Sequence, residues 1–262
     1  MALALRPSEH AYVGRAATRL PPGMYAVTVV GPREARESFR VMLGGNSPAW
    51  WRRQGEGWQS DMTRVGLNAS LVLWENLSHP ISRLELRCEP NLAAAKIYRM
   101  SPEPNYRCQQ PGYCYDINNR IYLTDGVLPG SKFEGGRVVR WENAEQVTIT
   151  LDLERTYRLS RVYVDAGGGG DRGLFFPTSI TVEGAPDASH RPSLPQLANK
   201  PGALDALPFF LLGQRVGLQL PEKGEYCTHD FEVPVSGQAR FIRVTVGRTR
   251  GQYIFLDEIE AY

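Results

Sequence analysis

The sequence has no long apolar run. None approaches the ~20 apolar residues that a membrane-spanning helix needs, so we expect no such helix among its 262 residues. The apolar residues within Met1–Leu5 are too few for the core of a signal peptide. We therefore expect that this chain carries no secretion signal, whether or not the protein is exported.

Cysteine and histidine are also scarce, with four of each. The spacing of Cys88, Cys108, Cys114 and Cys227 fits no zinc-binding pattern. Cys108 and Cys114 bracket a Pro-Gly turn, where a short disulfide would be typical of an oxidising compartment. Four free thiols are the alternative, and the sequence leaves the pairing open.

The chain has no excess of either charge, because 30 basic residues face 28 acidic ones. A dedicated nucleic-acid-binding protein usually shows a strong basic excess, so we expect no nucleic-acid partner. The sequence contains no nucleophile elbow, zinc-protease motif or phosphate loop, and the glycine run Gly167–Gly170 does not match a dinucleotide fingerprint. No catalytic motif is therefore recognised. A pair of glycosidase carboxylates has no fixed sequence motif, so the sequence does not exclude a glycosidase.

The chain does contain a series of short, strand-like runs. They are rich in β-branched and aromatic residues, several of them alternate, and they are bounded by Gly, Pro, Asn or Ser. They include Met24–Val30, Gly66–Leu73, Gln146–Leu153, Leu159–Asp165, Thr178–Glu183 and Arg240–Val246. Such a series is typical of an all-β sandwich or barrel.

A change in composition divides the chain into two parts. Ser101–Asn119 is rich in Pro, Asn, Tyr and Cys and separates two strand-rich halves. Each half has a reasonable size for a domain, so the sequence predicts domains at residues 1–100 and 101–262. Gly184–Gly202 is a second Pro-rich stretch, and we expect it to form a surface loop.

Five motifs follow one another in the second half. They are Ser101–Tyr106 (SPEPNY), Leu123–Gly126 (LTDG), Trp141 with Val147–Leu153, the segment Gly167–Val182, and the closing pair Arg240–Val246 and Phe255–Tyr262. Taken together they resemble the discoidin-like domains, which include the factor V/VIII C-type domains and the family 32 carbohydrate-binding modules. The first half more loosely resembles a sugar-binding jelly roll at Leu20–Val30 (LPPGMYAVTVV). These resemblances imply an all-β chain of two antiparallel, galactose-binding-like β-sandwich domains in tandem.

Discoidin-like sugar-binding modules often hold one structural Ca²⁺ beside the LTDG turn. The resemblance implies carboxylate ligands at Asp125 and Glu258, with backbone oxygens near Tyr122, Val127 and Asp257. Such a set suits calcium, which takes six to eight oxygen ligands. The alternative is that Asp125 only caps its own turn and that Glu258 is an exposed strand residue.

The same resemblance places a sugar site on the loops at one end of the sandwich. Gly167–Phe176 is the best candidate loop, because its glycines permit unusual backbone angles. Asp171 offers a hydrogen-bond acceptor and Arg172 a forked donor, while Phe175 and Tyr106 would supply aromatic faces. Ordinary packing is the alternative for the aromatic residues, and one of the two phenylalanines that end the loop is expected to turn into the core.

The first half has its own aromatic candidates. Trp50, Trp51 and Trp58 fall within what reads as a polar, Gly-rich loop. Aromatic residues are common in ligand sites, so Trp50 and Trp51 are candidate sugar contacts. The alternative is that the tryptophans plug the end of the sandwich or pack against the second domain.

The sequence thus predicts non-catalytic glycan binding by tandem β-sandwich modules, accessory to the recognition or degradation of a polysaccharide. The expected partners are a glycan and other domains of a larger enzyme. The expected location is secreted, periplasmic or at the cell surface. Two alternatives stay open: a structural or protein-interaction pair of sandwiches, and a β-sandwich glycosidase or lyase.

Overall fold

A computed structural model of the chain divides it into two compact units, Met1–Asn91 and Leu92–Tyr262. The regular structure that it describes consists almost entirely of antiparallel strands, which confirms the all-β class. Within the same residues, no helix is long and apolar enough to cross a membrane. The structure describes residues 12–15, 20–30, 39–43, 51–54, 57–60, 63–65, 71–75, 83–106, 121–127, 138–170, 173–187, 194, 203–204, 206–218, 220, 224–247 and 251–262.

The described residues of the first unit form two antiparallel sheets. One has the strand order β1-β7-β3, and the other has the order β4-β5-β2-β6, with β8 also paired to β2. The strands are β1 (Tyr12–Arg15), β2 (Gly23–Val30), β3 (Phe39–Leu43), β4 (Trp51–Gln54), β5 (Gly57–Ser60), β6 (Thr63–Val65), β7 (Leu71–Glu75) and β8 (Arg83–Pro90).

The second unit is built on one larger sheet system. Its described strands are ordered β10-β15-β11-β14-β12-β13, and β9 is also paired to β11. The strands are β9 (Tyr98–Ser101), β10 (Val139–Glu142), β11 (Gln146–Gly168), β12 (Ser179–Ala185), β13 (Phe210–Val216), β14 (Cys227–Gly247) and β15 (Tyr253–Ala261).

The division between the units lies earlier than the sequence predicts. The sequence assigned residues 1–100 to the first domain, but the structure divides the chain between Asn91 and Leu92. Strand β9 pairs with β11, so that Tyr98 lies opposite Leu151. Tyr98 is fully buried in the second core, and its hydroxyl accepts a 3.0 Å hydrogen bond from the backbone N–H of Leu123. Its pairing partner, rather than its local pattern, therefore decides to which unit β9 belongs.

Strands β11 and β14 are the two longest strands that the structure describes in the second unit. They pair along nearly their whole length, with a register shift after Asp152 where Glu154 has a φ of 71°. The first half of β11 also pairs with β9, whereas its second half pairs with β15. Side chains from both halves, such as Ile149 and Val164, share one core. The bent pair therefore contributes to both faces of an antiparallel β-sandwich.

A buried ion pair holds this bend. The Asp152 carboxylate accepts two hydrogen bonds from Arg240, at 2.9 Å from Nε and 3.0 Å from Nη2. It also accepts the backbone N–H groups of Glu154 and Leu194. Arg240 donates in addition to Asp187 at 3.0 Å. This network raises the pKa of Arg240, mainly through the hydrogen bond to Asp152.

The ion pair also anchors the Pro-rich stretch 184–202, which the sequence predicts to be a surface loop. Leu194, its one residue described between 188 and 202, is fully buried in a small core with Ala185, Leu207 and Phe241. Arg243 lies 3.8 Å from the ring centre of Phe209 beside the same core. At Leu194 the stretch is therefore packed on the sandwich.

Candidate functional site

Four neighbouring strands of the second unit begin or end at the same end of the sheet. They lie in the order β10-β15-β11-β14, and each neighbouring pair is antiparallel. The register places Glu142 opposite Tyr253 and Gly168 opposite Cys227. We call this end of the sheet the loop end, because the segment Gly167–Phe176 leaves β11 there.

The glycines of Gly167–Phe176 adopt conformations that other residues rarely take. The φ angles are 107° at Gly169, 88° at Gly170 and 83° at Gly173. A Cβ atom at Gly169 would lie 1.9 Å from the backbone oxygen of Glu225. A side chain at that position would therefore clash with backbone as well as strain the left-handed conformation.

Backbone hydrogen bonds fix this loop on both sides. The N–H of Gly224 donates to the oxygen of Gly169 at 2.9 Å, and the N–H of Gln252 donates to the oxygen of Gly173 at 3.3 Å. Within the loop, the N–H of Gly170 donates to the oxygen of Leu174 at 2.9 Å. The described parts of the loop are therefore held in place by residues that precede β14 and β15 in the chain. The predicted sugar contacts Asp171 and Arg172 lie outside the described residues.

Three aromatic rings pack together on the outer side of the loop end. Tyr106 lies edge-on to Tyr253 with ring centres 5.0 Å apart, and 5.4 Å from the ring of Phe255. The guanidinium of Arg140 lies 5.2 Å from the ring centre of Phe255. Tyr106 and Tyr253 are half-buried. We call Tyr106, Tyr253 and Phe255 the tyrosine face.

The chain preceding β10 places Tyr106 in this cluster. The side chain of Asn105 donates to the backbone oxygen of Glu142 at 3.1 Å and accepts from its N–H at 2.7 Å. The N–H of Tyr106 donates to the backbone oxygen of Arg140. Leu174 is buried against Phe255, so the glycine loop covers the same cluster. The predicted contact Tyr106 therefore lies beside the glycine loop.

The two phenylalanines that end the loop have different environments. Phe176 is buried and packs edge-to-face with Phe231 and His229, at 5.8 and 6.0 Å between ring centres. Phe175 is half-buried, and its ring lies 2.7 Å from the position of a Cβ at Gly251. Phe176 is thus the residue that turns into the core, while Phe175 stays partly accessible at the loop end.

The LTDG turn meets the last strand. Tyr122–Thr124 form a 3₁₀ turn whose Leu123 and Thr124 are buried. The backbone N–H of Gly126 donates to Oε1 of Glu258 at 3.1 Å. The N–H of Val127 donates to Oδ1 of Asp125 at 2.8 Å, so Asp125 does cap its own turn.

Glu258 is not an exposed strand residue, because its side chain is fully buried. Burial raises the pKa of Glu258 well above its usual value, and the negative charges of Glu260, Asp125 and Asp165 raise it further. Oε2 of Glu258 has no hydrogen-bond partner among the described residues. Asp165 and Glu260 are also fully buried. Several carboxylates are thus gathered under the turn, where a proton or a cation would relieve their repulsion.

The calcium ligands that the resemblance implies lie on the turn and on the last strand. The structure brings Asp125 and Glu258 together, with Tyr122 and Val127 half-buried on the turn and Asp257 buried beside Glu258. Among the described residues, no group of three or more Asp, Glu, His or Cys side chains is arranged to hold a metal. Two carboxylates alone fall short of the six to eight oxygens that calcium takes, so backbone oxygens of the turn would have to complete its shell.

The sequence suggests that Trp50, Trp51 and Trp58 lie in one loop, but the structure places two of them in strands. Trp51 begins strand β4 and pairs with Ser60, while Trp58 lies in β5 opposite Arg53. Trp50 lies outside the described residues. The polar, Gly-rich composition that reads as a loop therefore belongs in part to a strand pair.

Two of the four cysteines can be placed. Cys88 is exposed and Cys227 is half-buried, and both are free thiols. Cys108 and Cys114 lie outside the described residues, so their disulfide stays a prediction.

No family model and no curated protein sequence matches the chain. Among solved structures, it is similar to chitosan-binding module 1 of a chitosanase/glucanase from Paenibacillus sp. IK-5, with 15% identity, 66% of this chain and 99% of that chain covered, and a TM-score of 0.41. Module 2 of the same enzyme, solved with chitotriose, has 17% identity, with 66% of this chain and 99% of that chain covered and a TM-score of 0.39. A fucose-binding module of Streptococcus pneumoniae has 14% identity, with 66% of this chain and 98% of that chain covered and a TM-score of 0.39. All three of these structures are sugar-binding modules.

Proposed function

We propose that this chain binds glycans without acting on them, through the loop end of its second unit. The observation that supports this most strongly is the glycine loop, whose described residues accept hydrogen bonds from Gly224 and Gln252 beside the half-buried rings of Phe175, Tyr106 and Tyr253. A held loop loses less conformational freedom on binding than a mobile one, which favours affinity.

The chemistry of the loop end suits a sugar. An aromatic ring can cover the C–H face of a pyranose, and a few directed polar groups then fix its orientation. Asp171 and Arg172 stand between Gly170 and Gly173 in the sequence. We propose that Arg172 donates to two hydroxyl groups and that Asp171 accepts from a third.

We propose in addition that one Ca²⁺ binds at the LTDG turn. Asp125 and Glu258 would supply carboxylate oxygens, and the backbone near Tyr122, Val127 and Asp257 the rest. The buried Oε2 of Glu258, which has no hydrogen-bond partner in the described part of the chain, supports this, because a divalent cation would satisfy it and offset the neighbouring negative charge. The role would be structural, joining the turn to the last strand.

The setting of this function is part of the proposal. The sequence resemblance to discoidin-like modules suggests a secreted, periplasmic or surface protein that accompanies a polysaccharide-degrading enzyme. Under this proposal the chain docks a glycan and another protein or domain cuts it.

A glycan array probed with the full chain, with calcium and then with chelator, tests the proposal. We expect the chain to retain a defined group of glycans. Because the proposed ion is structural, chelator should weaken this retention only as far as it destabilises the second unit. A protein that retains no glycan on the array or on insoluble polysaccharide would instead support the structural or protein-interaction alternative. Release of sugar from a bound glycan would support the enzyme alternative.

A further inference from the structure

A second polar group stands at the loop end, on the other side of the glycine loop from the tyrosine face. His229 lies on β14 opposite Ala166 of β11, close to the point where β11 ends. It alternates with the buried residues Phe231 and Val233, so its side chain projects on the core-facing side of the sheet. It is nevertheless exposed.

Two phenylalanines hold the imidazole. The ring centre of His229 lies 4.7 Å from that of Phe231 and 6.0 Å from that of Phe176, both in edge-to-face geometry. A Cβ atom at Gly168 would lie 2.4 Å from the ring of Phe176, so the loop backbone lies directly against this aromatic floor. Among the residues that the structure describes, none hydrogen-bonds to the imidazole nitrogens. A neutral imidazole can donate from one nitrogen and accept at the other, which suits adjacent hydroxyl groups.

The two groups are too far apart for one sugar ring. His229 lies on β14 and Tyr253 on β15, with β11 between them, which is a separation of roughly 10 Å across the sheet. They also lie on opposite sides of the sheet, because Ile254 and Leu256 face the core and Tyr253 does not. A ligand that touches both must therefore pass over the glycine loop.

We infer that His229 forms a second subsite and that the ligand is a linear oligosaccharide rather than a monosaccharide. This inference rests on the proposed glycan binding at the loop end. One sugar unit contacts the tyrosine face. A later unit of the same chain lies over the Phe176–Phe231 floor, and its hydroxyl groups bind His229.

Calorimetric titration of the full chain with ladders of manno-, galacto- and chito-oligosaccharides tests this inference. Each ladder runs from the monosaccharide to the tetrasaccharide. The variants are His229→Ala, His229→Gln, which keeps one donor and one acceptor, and Gln238→Ala as an exposed control on the same strand. Melting curves verify that each variant is folded.

We expect affinity to rise with length in the ladder that binds. His229→Ala should lower the affinity for the longer members by roughly three- to tenfold, as expected for one lost hydrogen bond. It should leave the monosaccharide unaffected, His229→Gln should recover part of the loss, and Gln238→Ala should change nothing.

Two results would overturn the inference while leaving the proposed function intact. One is equal affinity for all lengths, and the other is an effect of His229→Ala that is absent or the same for every length. If the unmodified chain binds no member of any ladder and no glycan on the array, the proposed function itself fails, and the inference fails with it.

Discussion

The backbone N–H of Gly126 donates to the carboxylate of Glu258 at 3.1 Å and so joins positions 132 residues apart. Glu258 is fully buried at this contact, and the negative charges of Glu260, Asp125 and Asp165 act on it. A buried carboxylate among other carboxylates is unfavourable unless it is protonated or bound to a cation.

This arrangement predicts that calcium stabilises the second unit. An ion bound only to the folded state adds about 2.7 kcal/mol at a hundred times its dissociation constant, so chelator should lower the melting temperature and added calcium should restore it. Asp125→Ala should abolish this difference. Identical melting curves with calcium and with chelator would remove the ion from the account.

Glu258→Gln separates the effect of the ion from that of the hydrogen bond. The amide oxygen of Gln can still accept from Gly126, but the negative charge is lost. In chelator, the variant should be at least as stable as the unmodified chain, because the repulsion with Asp125, Asp165 and Glu260 is relieved. In calcium it should be less stable. A variant that is equally destabilised in both conditions would show that Glu258 has only a packing role.

The ion pair at the bend of β11 predicts a large loss of stability in one variant and a small loss in its control. Asp152 and Arg240 have side chains only 7% and 11% exposed. Asp152→Ala leaves the guanidinium buried without its main partner, which costs roughly 3–5 kcal/mol. Asp187→Ala removes the other, 37% exposed partner and should cost about 1 kcal/mol or less. Urea denaturation of the two variants measures the difference, and equal losses would contradict this assignment.

The glycine loop predicts a similar contrast between two glycines at the loop end. Gly169→Ala combines a left-handed conformation, about 1–2 kcal/mol, with a backbone clash that typically adds about 1–3 kcal/mol. Gly224 also has a positive φ, of 73°, but no atom of the described residues lies within 4 Å of its Cβ position, so Gly224→Ala should show only the first cost. Chemical denaturation measures both variants. Glycan retention should fall for Gly169→Ala and persist for Gly224→Ala.

The sequence predicted the strands well because their signals are local. Alternation in Gln146–Leu153 and Arg240–Val246 indicates strands whatever they pair with, and both lie in the strands β11 and β14. The LTDG motif similarly directed attention to Asp125 and Glu258, which the structure brings together.

Features that depend on long-range pairing were not predictable in the same way. No local signal in the sequence marks Tyr253, Phe255 or His229 as site residues, and only the register of β11 with β14 and β15 places them at the loop end. Strand β9 was assigned to the wrong side of the boundary for the same reason, since its pattern does not specify its partner. Trp51 was assigned to a loop because β4 and β5 are short, polar and interrupted by glycine.

Glycan binding at the loop end is tested by measuring the binding of one retained glycan to Arg172→Ala, Tyr253→Ala and Trp51→Ala variants of the full chain. We expect Arg172→Ala to lose roughly 1–3 kcal/mol of binding free energy through a lost charged donor. Tyr253→Ala should also weaken binding, while Trp51→Ala should leave it unchanged. Binding that survives the changes at Arg172 and Tyr253 but is lost with Trp51 would instead place the glycan site in the first unit.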